Sequence, residues 1–325
     1  MKWESDQTRL RSYMKKINNK LSRSNKKFLK QCLKKYGSTD PLFLIFQLTH
    51  HLSEIEEIAQ ISDIESNDLF KYYSVNQSRF LCANDDIESL RHLSPVSSRQ
   101  ILHIIKKNNQ QKIPQTMGIV LDARYLRVAE SEDLFRIGRI VRTWVDAIRN
   151  YTAQNTPILL AIRNMEDLDG FESWTQSLPE YNLDEAFGFA IPDEEIEAQS
   201  FIAAAFRNIN EQLSKHTSSG SETELPGQPL IQSFNALKQN TIALTNGLIQ
   251  TQPDLVPPRF VGLYFMGMVN HPVQQIKGAD TDDESQVFIK KPAFVNDVCK
   301  DIFSKAGSYN TPYLPESRHV FFPKQ

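Results

Sequence analysis

Two apolar runs constrain this chain more than any other feature in it. Met117-Gly118-Ile119-Val120-Leu121 and Ile158-Leu159-Leu160-Ala161-Ile162 are short and free of polar side chains. That is the pattern of strands covered on both faces. Between them Leu134, Ile137, Val141, Trp144, Val145 and Ile148 recur at helical spacing. Ser131 is placed to cap this helix, and Glu132 and Asp133 stand in its first turn, where carboxylates favour the positive end. Asn155-Thr156-Pro157 stops it before the second run. A strand, a crossover helix and a strand of these lengths predict a parallel unit with right-handed connection. Residues 187–191 read as a third strand, and Pro192-Asp193 opens a helix with Ala198, Ile202, Ala205, Ile209 and Leu213 on one face. The strand–helix–strand core therefore spans residues 113–213.

Around this core the pattern predicts a flexible loop at 215–228, rich in Ser, Thr and Gly, and a helix over 230–250. A strand over 259–270, another over 287–290, a helix over 293–305 and a short strand over 319–322 complete it, joined into one continuous mixed sheet. Ahead of the core the pattern is helical. Leu10, Met14, Ile17 and Leu21 form one stripe. Ser24 is placed to cap a second helix carrying Phe28, Leu29, Cys32, Leu33 and Tyr36. Asp40-Pro41 starts a helix expected to run to about residue 60, Asp85 or Asp86 caps a short one, and Ser94-Pro95 starts one that buries Ile101, Leu102, Ile104 and Ile105. The expected fold class is α/β. An all-helical N-terminal domain over 1–112 precedes a layered α/β domain over 113–325 with a mixed, partly parallel sheet.

Charge is distributed unevenly. The total is −2, but residues 1–36 hold 12 Lys and Arg against Glu4 and Asp6, leaving the remainder at −12. Arg9, Arg11, Lys15, Lys16, Lys20, Lys26, Lys27, Lys30, Lys34 and Lys35 are the candidate partner-binding cations on this arm. Its apolar stripes favour docking on an acidic protein partner, with charge steering the encounter. An arm packed on the chain's own acidic remainder, nucleic-acid phosphates and an anionic membrane surface are the alternatives. The longest apolar stretch, residues 261–269, is far shorter than the ~20 residues of a membrane helix. The first residues carry no apolar run of the kind secretory signals use. Three scattered cysteines, Cys32, Cys82 and Cys299, form no paired motif, which points to a reducing, cytoplasmic setting.

Phosphate-cradling glycine loops, nucleophile elbows and paired-histidine zinc motifs are missing from the sequence. The carboxylates that fall at predicted strand ends are Asp122, after the first run, and Glu166, Asp167 and Asp169, after the second. Ligands in open α/β sheets bind beyond such ends. Converging carboxylates there could hold Mg²⁺ for phosphoryl-transfer or phosphodiester-cleaving chemistry. Cys82 as a nucleophile, His50, Glu54 and Glu57 on one helical face, and the acidic run Asp280, Asp282, Asp283 and Glu284 carry weaker signals. Arg136, Arg139 and Arg142 read as the solvated side of the crossover helix, paired with Glu132 and Asp146. The sequence thus favours a non-catalytic interaction protein, an adaptor, regulator or assembly subunit with no cofactor. The Mg²⁺ enzyme is the alternative.

Overall fold

The structure, a computed structural model, describes residues 22–35, 42–48, 65–67, 70–75, 78–83, 95–108, 116–190, 198–217, 228–249, 257–273, 287–294, 298 and 311–312. The two constraining runs are strands β5 (Thr116–Asp122) and β7 (Ile158–Arg163), paired in parallel from Met117↔Ile158 to Asp122↔Arg163. They lie at the centre of an eight-stranded mixed sheet. Its other members are β1 (Leu42–Leu48), β2 (Glu65–Ser66), β3 (Phe70–Val75), β4 (Ser78–Ala83), β8 (Phe187–Ala190) and β9 (Phe260–Phe265). The order is β2-β3-β4-β1-β5-β7-β9-β8. The five strands from β4 to β9 run parallel, and antiparallel β3 and β8 flank them.

A row of helices covers one face: α1 (Arg23–Lys35), α2 (Pro95–Asn108), α4 (Ser131–Thr152), α7 (Gln228–Ile249) and α6 (Ala198–Thr217), each packed on the next. The short α3 (Ala123–Val128) leads into α4, and α5 (Phe171–Gln176) follows β7. Successive strand side chains alternate between faces. Ile119, Leu121, Leu160 and Ile162 therefore join the main core under the helix row, while Val120, Leu159 and Ala161 are buried on the opposite face. Near the β8 edge Trp174, Phe187, Phe294, Phe265 and Phe234 extend that core as an aromatic cluster, with ring centroids 4.7–5.9 Å apart.

The α/β class and the mixed, partly parallel sheet are as expected. So are β5, β7, β8 and the helices α2, α4 and α7. Other features differ. The run Leu42-Phe43-Leu44-Ile45-Phe46 is strand β1 and not the start of a helix to residue 60. An apolar run of that length cannot be assigned by periodicity, and its parallel partners β4 and β5 decide it. β1 to β4 bring strands into the stretch expected to be helical throughout, and β1 pairs with β5 across residue 112.

The strand expected over 259–270 breaks at Met266. Met266 donates its N–H to Ile162 O at 2.8 Å and accepts from Met165 N, after which β10 (Gly267–Val273) leaves the sheet to form a hairpin with β11 (Val287–Ala293). Gly267 permits that departure, since a Cβ there would stand 2.9 Å from both Glu166 Oε2 and the Phe171 ring. A third small sheet pairs β6 (Gln154–Asn155) with β12 (Thr311–Pro312), so the continuous single sheet is corrected.

Two caps also move. Ser22 Oγ, not Ser24, accepts from Asn25 N at the start of α1. Ser131 lies inside α4 behind the capping residue Glu130, and its hydroxyl reaches Asn240 on α7 at 3.1 Å. Residues 1–21, 49–64, 84–94, 218–227, 295–297, 299–310 and 313–325 lie outside the described residues. The first amphipathic stripe, the flexible loop's centre, the helix at Asp85 or Asp86 and the strand over 319–322 fall there, as does nearly all of the helix over 293–305.

Candidate functional site

The carboxyl ends of β5 and β7 come together as the sequence predicts, but their carboxylates diverge. Asp122 caps α3, accepting Tyr125 N at 3.2 Å through one oxygen and Asn164 Nδ2 at 2.7 Å through the other. Asn164, buried and left-handed at φ 58°, turns the chain off β7. Glu166 reaches the other way and accepts from the backbone N–H of Met268, fixing the β10 hairpin at 3.0 Å. Asp167 pairs with Arg124 Nη2 at 2.9 Å, and its carbonyl accepts from Arg127. Asp169 is exposed, and its carbonyl accepts from Ser233 on α7. Cap, hairpin tether, surface ion pair and turn are four separate tasks. Among the described residues no three His, Cys, Asp or Glu side chains gather to hold a metal ion.

Arg142 is another place where the structure departs from the sequence pattern. It is buried, with Nε 2.9 Å from both Asp146 oxygens and Nη1 donating to Leu248 O at the end of α7. Asp146 also faces the buried Arg149, whose Nη2 donates to Asn155 Oδ1 and Pro257 O. The spacing of Arg142 and Asp146 was legible, but it takes α7 lying across α4 to turn a surface pair into an internal clamp. Arg136 stays at the surface with Glu132 and Asp133, as expected, and Glu132 raises its pKa.

Cys82 is buried on β4. The side chains of Arg9, Arg11, Lys15, Lys16 and Lys20 lie outside the described residues, as do His50, Glu54, Glu57, Cys299 and the run at Asp280–Glu284. A shallow groove of about 710 Å³ on α6 and α7 is lined by Arg207, Asn210, Glu211 and Lys238. There Asn210 bridges the helices to Asn235 at 3.0 Å.

The basic helix α1 is docked, not free. Leu29, Cys32 and Leu33 are fully buried against α2 and the core. Glu65 on β2 holds the helix's end, accepting Lys35 Nζ at 2.7 Å and the Cys32 thiol at 3.1 Å. Burial, then the neighbouring Glu65 carboxylate, pushes the Cys32 thiol far above its usual pKa. At the start of α1, Asn25 Oδ1 accepts from Asn67 at 3.2 Å.

Docking the apolar stripe inward turns the cations outward. Lys27, Lys30, Lys34 and Lys35 are exposed and Lys26 half-buried, beside exposed Arg99, Lys106 and Lys107 of α2. The two packed helices carry nine Lys and Arg and no acidic residue. Lys27, Lys30 and Lys34 form no ion pair among the described residues. Among the described residues the only large hydrophobic side chain that is exposed is Val128, away from this face. The surface is therefore charged without being greasy.

These features define an α/β protein with a mixed sheet, polar strand ends given over to structural bonds, and one strongly basic helical face. Residues 117–313 match the IcmF-related N-terminal domain, and the chain belongs to that family. At family level this is a protein-interaction role, in a type VI secretion-like component. No curated protein matches the chain. A similar solved structure is the GDP complex of an ADP-ribosylation factor-like GTP-binding protein, the small COPII coat GTPase SAR1, from Encephalitozoon cuniculi. It is 10% identical, with a TM-score of 0.25 over 67% of this chain and 87% of that one. Among the described residues no helix is long and apolar enough to cross a membrane.

Proposed function

We propose that the protein is a non-catalytic interaction module, an assembly subunit on the cytoplasmic side of its machine. Its α1–α2 face takes up an acidic surface of a protein partner. One observation carries this reading: nine cations and no carboxylate on two packed helices whose apolar sides are already spent on the core. Because that stripe is buried, little apolar surface remains to insert into a bilayer, which separates this face from a membrane-binding amphipathic helix. No exposed aromatic among the described residues offers a stacking platform for bases. Long-range attraction to a complementary protein surface fits what is left. Two buried free thiols, Cys32 and Cys82, are compatible with a reducing compartment.

The test is a binding titration of the full chain with labelled poly-glutamate, duplex DNA and anionic vesicles, beside the triple variant Lys27→Glu, Lys30→Glu, Lys34→Glu. All three positions are exposed, so the fold is expected to survive. Poly-glutamate binding is expected to fall at least tenfold in the variant. Tighter binding of DNA or vesicles that is lost in the same variant would replace the protein partner with one of those ligands.

A further inference from the structure

The basic face has a counterpart elsewhere in the same chain. Residues 164–190 hold seven Asp and Glu and no Lys, Arg or His. Asp169, Glu172, Glu180, Asp184 and Glu185 are exposed along it. Among the described residues Arg124 pairs with Asp167, Lys291 of β11 with Glu180, and Asn270 of β10 bonds Glu172.

The sheet keeps the two charge groups apart. α1 is tied to β2, the first strand in the order, through Lys35 and Glu65. The acidic stretch leads into β8, the last strand, and packs by Glu180 and Leu183 on β11 and Phe294. The stretch begins at the end of β7, five strand spacings from β2, and ends in β8, seven spacings away, so it lies roughly 24 to 34 Å from β2 along the sheet at the usual spacing. The Debye length at physiological salt is about 8 Å. Measured from β2, where α1 is anchored, the acidic stretch lies several Debye lengths away, and two copies can bring the α1 cations and that stretch into contact.

We infer that the α1–α2 face receives the acidic stretch 164–190 of a second copy, so that the chain assembles head to tail. This rests on the interaction reading above and names the partner for that face. The contact is heterologous: each copy spends its basic face on one neighbour and its acidic stretch on another, so copies extend into a row or close into a ring. Lys27, Lys30 and Lys34 meet Glu172 and Glu185 in this arrangement. Because the contacts are exposed ion pairs, the assembly depends on salt and on many weak contributions acting together.

Sedimentation of the full chain tests it. Weight-average mass is expected to rise with concentration at low salt. It is expected to fall back to monomer as salt goes from about 0.15 M to about 1 M, where the Debye length shrinks to about 3 Å. The Lys27→Glu, Lys30→Glu, Lys34→Glu variant alone and the Glu172→Lys, Glu185→Lys variant alone are each expected to stay monomeric. Mixed together they are expected to form a complex, because the first keeps its acidic stretch and the second its basic face. A wild type that remains monomeric at low salt, or whose association ignores either charge reversal, overturns the head-to-tail assembly. If that monomer still binds poly-glutamate through Lys27, Lys30 and Lys34, the interaction face stands and only the identity of its occupant is lost.

Discussion

At the scale of single residues, burial gives several polar groups tasks their spacing did not announce. Cys32 is the sharpest case. Its thiol sits at 0% exposure, 3.1 Å from the Glu65 carboxylate, with Lys35 bridged to the other oxygen. Burial of the sulfur and then the facing Glu65 carboxylate both disfavour a thiolate, which is why its pKa is raised from the ordinary 9.0. A raised folded-state pKa has a definite sign. Below the ordinary thiol value both states are protonated and this group adds no pH dependence. Above it the unfolded chain releases a proton that the folded chain keeps, so stability falls as pH rises. The loss approaches at most about 1.4 kcal/mol per pH unit. Urea unfolding of wild type and Cys32→Ala at pH 8 and pH 10 checks this. The wild type is expected to lose more stability over that interval than the variant. Equal losses would mean that the thiol ionises normally in the fold. The neighbouring lesson concerns Arg142: Arg142–Asp146 spacing could be read in the sequence, but its burial beneath α7 could not.

At the scale of elements, the packing of α4 on α7 shows what pattern reading captures and what it misses. Both helices follow from the apolar spacing in their sequences, and their closeness does not. It depends on Gly138 and Gly247, which meet at the crossing. A Cβ on Gly138 would lie 2.1 Å from Leu244 O, and one on Gly247 would lie 2.1 Å from Phe135 O. Alanine is the better helix former by about 1 kcal/mol, so in an exposed helix either change would stabilise. Here the backbone blocks the added carbon, and overpacking of about 1–3 kcal/mol or more is expected to win. Gly138→Ala and Gly247→Ala should each lower the urea midpoint and Tm; an unchanged or raised Tm would show that the helices can separate freely. Sequence legibility follows the same line. β5, β7, α2, α4 and α7 were readable because one period dominates each. β1 was misassigned because the five-residue apolar run Leu42 to Phe46 fits a buried helix as well as a buried strand. β3 and β4 went unread although Phe70 and Tyr72 are separated by Lys71 and β4 carries the apolar run Phe80-Leu81-Cys82, because strands this short need their partner to be convincing. At the candidate site the strand-end position of Asp122 and Asp167 was legible. Their separate partners were not, since a carboxylate's direction depends on tertiary neighbours such as Met268 and Arg124.

At the scale of the whole molecule, the question is whether the N-terminal third can be detached. Composition and pattern change near residue 112, and the family match begins at residue 117. Yet β1 is hydrogen-bonded on both edges, to β4 at Leu44↔Leu81 and to β5 at Leu44↔Met117. Removing it would leave β5 as an open edge with an apolar run of buried side chains, Met117, Ile119, Val120 and Leu121. An exposed apolar edge strand pairs with whatever chain it meets. The same cut removes Leu29, Leu33, Ile101, Leu102 and Ile105 from the core over α4, uncovering Trp144 and Ile148. A fragment of residues 113–325 is therefore expected to aggregate or to unfold without a cooperative transition. The full chain is expected to unfold in one transition shared by near-UV circular dichroism and tryptophan fluorescence. Trp144 reports that transition from α4 in the middle of the helix row, and Trp174 from the aromatic cluster. The opposite pair of results, a fragment that melts cooperatively and a full chain with two separated transitions, would show that the sheet is divisible at β1–β5. The basic face would then sit on an independent unit, able to carry its partner without the rest of the fold.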